Sequence, residues 1–277
     1  FAWNIFLYTG FAVVLVGYIW TMLDHEVKKY SKPVGIFAFT WRIILTTGTG
    51  SIFGFLVARE AYATAILAPL FIVMSLLYGV VVYYLLLVII NKLHKTIIEP
   101  EVIENLKKLT IMFLFANLYF LFLYHLTNMY ISKHLEFEIF ILFNGGIYTA
   151  VFWLGQVLVG IILPLIFLLT NKICSYFSLL ISSVFVLFGS FMSMFVIIIA
   201  GQAYPLTIFP DHTIVESSFY DNVIHSYVPS IYELGLGIGG IALALIIVLI
   251  GLANLKFLPK IIRSKNNNKN LKTSSAD

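Results

Sequence analysis

Apolar residues run on for about twenty positions at a time, the length a helix needs to cross a bilayer core, and polar or basic segments separate the runs. Seven such runs are read, at roughly 1 to 21, 35 to 57, 62 to 90, 109 to 131, 147 to 170, 174 to 200 and 231 to 257. Backbone groups in lipid must be satisfied within the protein, so each run is predicted to be a helix. The pattern predicts an all-α, polytopic transmembrane helix bundle over residues 1–258. The polar, low-complexity end KNNNKNLKTSSAD reads as a solvated, disordered tail, and 259–277 is assigned to it.

Composition agrees: 61% of residues are hydrophobic, 16% aromatic and only 11% charged, against about 25% charged in soluble domains. The basic residues then orient the bundle, because short translocated loops disfavour them. Fourteen of the 17 (Lys28, Lys29, Lys32; Lys92, Lys95, Lys107, Lys108; Lys172; and six between Lys256 and Lys272) fall on one side of a seven-span arrangement, and Arg59 and Lys133 on the other. The expectation is a multi-pass membrane protein with a cytoplasmic C-terminus. Its net charge of +4 reflects topology rather than nucleic-acid binding. The segment from Gln202 to Ser230 has no basic residue but carries Asp211, Glu216 and Asp221, and it is the longest external connection.

The chain begins at Phe1, already inside an apolar run and with no basic segment before it, so it reads as the C-terminal part of a longer protein; a cleaved signal peptide fits less well. Its one cysteine, Cys174, cannot alone form a disulfide or hold an iron–sulfur cluster.

Polar groups within spans are candidate sites. Asn117, Tyr124 and Asn128, at i, i+7 and i+11, fall within roughly 40° on a helix, with His125 beside them. This face reads either as interhelical hydrogen bonding or as the lining of a quinone pocket or proton path. His125 is the only histidine well inside a run; His25, His94, His134, His212 and His225 fall in loops, so a bis-histidine haem b is not expected. Gly50 and Gly54, and Gly235 and Gly239 with Gly237 and Gly240, read as close-packing positions. Arg42, about two turns inside its run, reads as snorkelling to the cytoplasmic interface or as an intramembrane site. Pro69 and Pro164 are expected to interrupt their helices.

At the external end Arg59, Tyr62, Gln202, Tyr204 and Glu233 converge in the sequence reading. Glu233 starts the last helix, where a carboxylate favours the helix dipole; equally, desolvation at the lipid boundary would suit it to handling protons.

The stretches TGTGSIFGFLVAREAYATAILAPLFIVMSLLYG, FWLGQVLVGIILPLIFLL, AGQAYPLTIFP and SSFYDNVIHSYVPSIYELGLGIGG resemble the NrfD/PsrC family of membrane subunits, and most of all its subgroup of P subunits of the DsrMKJOP complex. That resemblance implies about ten spans, three of them absent here, and a protein that handles quinones without a redox centre of its own. It implies menaquinone bound as substrate near the outer face, the face on which Arg59, Tyr62, Gln202, Tyr204 and Glu233 lie; from the polar residues themselves, Arg59, Tyr62, Asn117, Tyr124, Asn128, Gln202 and Tyr204 are the candidate quinone-binding groups and His125 and Glu233 the candidate catalytic ones. Implied partners are an extracytoplasmic ferredoxin-like iron–sulfur subunit, a multihaem cytochrome c, a haem-b membrane subunit and a cytoplasmic iron–sulfur subunit, in sulfur or sulfite metabolism. A histidine common near the start of the motif aligned with LTTGTG is missing, so its role does not carry over. A secondary transporter, or an anchor without a working quinone site, stays open as an alternative.

Overall fold

The computed structural model describes residues 2–94, 99–170, 175–205, 224 and 227–254. Cys174, Lys95, Lys172, His212, His225, the acidic residues Asp211, Glu216 and Asp221, most of PLTIFP and the basic tail lie outside the described residues. The chain divides into two compact units, Phe1–Ser226 and Tyr227–Asp277.

The described residues are helical throughout their spans. In the first unit these are α1 (Ala2–Leu23), α2 (Ser31–Gly54), α3 (Leu67–His94), α4 (Pro100–Tyr130), the short α5 (Ser132–Ile139), α6 (Ile147–Leu169) and α7 (Ser175–Ala203); the second unit contributes α8 (Ile231–Asn254). All but α5 are long and apolar enough to span a membrane, seven in all among the described residues. The protein is a polytopic membrane protein.

Several local expectations shift. Pro69 is the third residue of α3 and does not interrupt it, since the first turn has no intrahelical acceptor for the missing N–H. Helix α4 starts nine residues earlier than its apolar run, with Pro100 at its first position and Glu101 in its first turn, so Lys107 and Lys108 are helical. Pro164 is the second residue beyond a twelve-residue π-helical stretch, Val151–Ile162. The wider turn accommodates a position that cannot donate. A second π stretch, Phe195–Ala200, lies in α7.

Lipid gives helices little hydrophobic reason to associate, so small residues and hydrogen bonds to backbone carry the packing. A Cβ on Gly189 would sit 2.1 Å from Gly160 Cα, and one on Gly155 2.6 Å from Met192 Cγ, so α6 and α7 meet almost backbone to backbone. Gly50 and Gly54 similarly press on Ala68 and the Thr64 carbonyl.

Buried apolar residues form two clusters. One gathers Tyr62, Leu70, Phe137, Phe140, Phe152 and Ile197 at the end where α2 gives way to α3, here called the lysine-poor end. The other gathers Leu77, Tyr84, Leu114, Leu168 and Leu179 towards the opposite, lysine-rich end.

Candidate functional site

The connection between α4 and α6 builds the site. Ile131 leaves α4 with extended dihedrals, φ −88° and ψ 111°, and the chain turns back as α5 against α4. The apolar pattern predicts only a loop here, and the structure has a helix. His134, Phe137 and Glu138 are buried on it. Glu138, completely shielded, faces α4 and takes two hydrogen bonds from it. His125 Nδ1 lies 2.7 Å from Glu138 Oε2, and Asn128 Nδ2 donates to Glu138 Oε1 at 2.9 Å.

With Glu138 ionised and accepting, the ring proton sits on Nδ1 and His125 Nε2 is left as the free lone pair; Nε2 has no hydrogen-bond partner among the described residues. The ring is held edge-on between Tyr124 and Phe152, at centroid distances of 5.0 and 4.8 Å. Tyr124, one residue earlier, donates to the Ala61 carbonyl at 2.6 Å. Asn117 is buried on the same face but joins no hydrogen bond of this group.

Two hollows meet at His125. Inward is a cavity of about 10 Å³ lined by Tyr124, His125, Gln156 and Ile197 among others, about the space of one water. Gln156 is buried, and its Oε1 has no hydrogen-bond partner among the described residues. On the other side, a groove of about 360 Å³ runs between α4 and residues 142–157, walled by Phe122, Leu126, Met129, Phe143, Phe152 and Trp153. His125 is the only titratable side chain in its lining. Most of these walls are exposed side chains of membrane helices, so the groove opens to the lipid phase and ends on an imidazole that keeps 12% of its surface free.

Nearer the lysine-poor end, Arg59, Tyr62, Gln202 and Tyr204 do converge, through the backbone. Arg59 Nη1 donates to the Gln202 and Tyr204 carbonyls at 2.9 and 3.3 Å, which satisfies the orphan acceptors at the end of α7. Tyr62 donates to the Ile197 carbonyl at 2.8 Å, within the π stretch. Burial pushes the Tyr62 hydroxyl up to about 12, against the opposing pull of Arg59. Burial, then repulsion from Glu60 and Glu136, likewise raises Tyr204 to about 12. The Gln202 side chain is exposed. His134 Nδ1 bonds the Glu60 carbonyl, which anchors α5 to the α2–α3 turn.

Glu233 belongs to the second unit. Ser230 N–H and Oγ–H donate to its Oε2 at 2.7 and 2.9 Å, and its own N–H donates to Ser230 Oγ at 3.3 Å. That reciprocal Ser-x-x-Glu arrangement is a capping box, the helix-start alternative for this residue.

Glu138 lies in the connection between two apolar runs, where a reading by span length alone places no element. The signal was present in LEFEIFILF, where a carboxylate sits inside an apolar run. Among the described residues no group of three or more His, Cys, Asp or Glu is placed to hold a metal.

The curated Hdr-like menaquinol oxidoreductase integral membrane subunit of Archaeoglobus fulgidus is 28% identical over 264 residues, which cover 94% of this chain and 66% of that protein. The chain thus spans just under two thirds of that relative's length. No solved structure matches it significantly. Residues 1–205, which hold α1 to α7 and both groups of residues at the lysine-poor end, match the family described as polysulphide reductase, NrfD, and the chain belongs to that family.

Proposed function

We propose that this chain is the quinone-interacting integral membrane subunit of a respiratory electron-transfer complex, and that the quinone head group is taken up at His125 from the lipid-facing groove. One observation carries the reading: an imidazole with a free Nε2 closes an otherwise apolar groove and is backed by a wholly buried carboxylate. A lipid-soluble ring with two oxygens matches such a hollow, apolar in its walls and polar at one point. The name of the Archaeoglobus fulgidus relative supports menaquinol as the substrate.

Oxidation of a quinol releases two electrons and two protons. In the proposed geometry a quinol hydroxyl donates to His125 Nε2, and its proton moves to that nitrogen as the electrons pass to a redox centre on a partner subunit. Glu138 holds the ring in the productive tautomer and carries the charge that balances the imidazolium. The second proton follows once the first has passed on. Run backwards, the same groups deliver protons to a quinone.

The finer assignment rests on the resemblance stated above: a P subunit of a DsrMKJOP-type complex in sulfur or sulfite metabolism. Its partners would be an extracytoplasmic ferredoxin-like iron–sulfur subunit, a multihaem cytochrome c, a haem-b membrane subunit and a cytoplasmic iron–sulfur subunit. The charge bias supports a cytoplasmic lysine-rich end, which puts His125 nearer the outer face. Arg59, Tyr62, Gln202 and Tyr204 then form the rim on which the extracytoplasmic carrier docks. Asn117, Tyr124 and Asn128 support the site from behind, and Glu233 caps α8.

His125→Ala in the intact complex tests this reading. Menaquinol oxidation is expected to fall at least 100-fold, in the range of a lost general base, with the iron and haem content of the purified complex unchanged. Unaltered turnover in a fully assembled complex removes His125 from the site.

A further inference from the structure

Arg42 is the twelfth of the 24 residues of α2, so about 16 Å of helix rise separates it from Ser31. That is about half the thickness of a bilayer core. Snorkelling to the lysine-rich interface would need more reach than an arginine side chain has. The guanidinium is exposed, and its contact is the Phe11 ring, 5.6 Å away. It has neither a hydrogen-bond acceptor nor an ion pair among the described residues.

An arginine at mid-bilayer facing lipid is costly, so such residues almost always face a partner or a polar cavity. The surroundings of Arg42 are those of a seat rather than a lipid face. A groove of about 460 Å³ runs beside it between α1, α2 and α3, lined by Tyr8, Thr46, Thr49, Ser75, Tyr78 and Gly79 among others. Nothing lies within 4 Å of a Cβ placed on Gly79, so a helix backbone can approach there.

We propose that this groove binds a transmembrane helix of a partner membrane subunit, one that carries an aspartate or glutamate at mid-bilayer depth opposite Arg42. Charge complementarity selects the occupant. Among the described residues no span of this chain carries a carboxylate at that depth: Glu101 and Glu104 lie near the start of α4 and Glu233 at the start of α8. Glu138, on α5, is already paired to His125 and Asn128. The hydroxyls around Arg42 add hydrogen-bonding groups for the same partner.

A photo-crosslinking benzoylphenylalanine at Val82, an exposed lining position, tests the proposal in membranes holding the intact complex. The expected product maps by mass spectrometry to a transmembrane segment of another subunit with an acidic residue near the crosslinked turn. Arg42→Glu is then expected to cut recovery of that subunit with this chain at least tenfold. Arg42→Lys retains recovery, and replacing the partner's carboxylate with arginine restores it in the Arg42→Glu background. Crosslinks to lipid alone, to a second copy or to another segment of this chain overturn the proposal, as do the absence of any crosslink and undiminished recovery of Arg42→Glu.

Discussion

His125 Nδ1 and Glu138 Oε2 stand 2.7 Å apart although one belongs to a membrane-spanning helix and the other to a short helix that folds back beside it. The pair brings an imidazole and a carboxylate together where water is scarce, and each then depends on the other. Removing His125 strands a buried carboxylate, which costs about 3–5 kcal/mol.

Glu138→Gln keeps the shape and can still accept from the imidazole, but it loses the negative charge that balances an imidazolium. Quinol oxidation by the intact complex is expected to drop about 10²-fold or more, with a changed pH–rate profile and only a small change in thermal stability. Glu138→Ala, in contrast, is expected to lose stability and activity together. A turnover assay across pH, read beside a melting curve, separates the two outcomes.

The groove makes a separate prediction. Leu126→Trp adds bulk to its wall, so the KM for a short-chain quinol analogue is expected to rise severalfold while kcat stays within about twofold, since uniform binding is lost rather than a transition-state contact. Steady-state kinetics on the intact complex measure both. A fall in kcat with unchanged KM would place the substrate elsewhere.

At the contact of α6 with α7, Gly189→Ala puts a methyl group 2.1 Å from Gly160 Cα. Overpacking of this kind costs about 1–3 kcal/mol, or roughly 2–12 °C in melting temperature for a chain of this size. Gly79→Ala, with open space at the same atom, is expected to leave the melting temperature of the isolated subunit nearly unchanged. Thermal unfolding in detergent compares them.

Tyr62 predicts alkaline behaviour. Its hydroxyl is raised to about 12 in the folded state, from about 10 in an unfolded chain. Stability from its protonated form is therefore complete below about pH 10 and is lost as pH rises through about 12. Tyr62→Phe is expected to lower stability at neutral pH, by the lost bond to the Ile197 carbonyl, and to flatten its decline between pH 10 and 12. Melting temperature against pH for both proteins tests the sign.

The capping box sets Glu233 apart. Glu233→Gln is expected to leave quinol turnover within about twofold, and Ser230→Ala to weaken the start of α8 by about 1 kcal/mol. Amide hydrogen exchange in the first turn of α8 reads the second effect. A large loss of turnover in Glu233→Gln would return that carboxylate to proton transfer.

The spans were readable because apolar length is a local property that survives any arrangement of neighbours. Asn117, Tyr124 and Asn128 were readable as one face because 3.6-residue periodicity is equally local, and all three are buried. Arg59, Tyr62, Gln202 and Tyr204 were placed together by span order alone. Their contacts nonetheless run largely to backbone carbonyls 135 to 145 residues away, which no side-chain pattern announces. Pro69 misled because a proline interrupts a helix only where an acceptor waits for its N–H, and the true start of α3 removed that acceptor.

By itself the sequence determined that the chain crosses a membrane, in helices, about seven times, and that polar groups are scarce enough inside for each to matter. Only the tertiary structure decided which of those groups meet. It turned a stretch read as loop into α5 and carried Glu138 under His125. It also left Arg42 facing an open groove at mid-helix. The reason is physical: transfer into lipid is a sum over residues and can be read one position at a time, whereas a buried hydrogen bond depends on the meeting of two backbones.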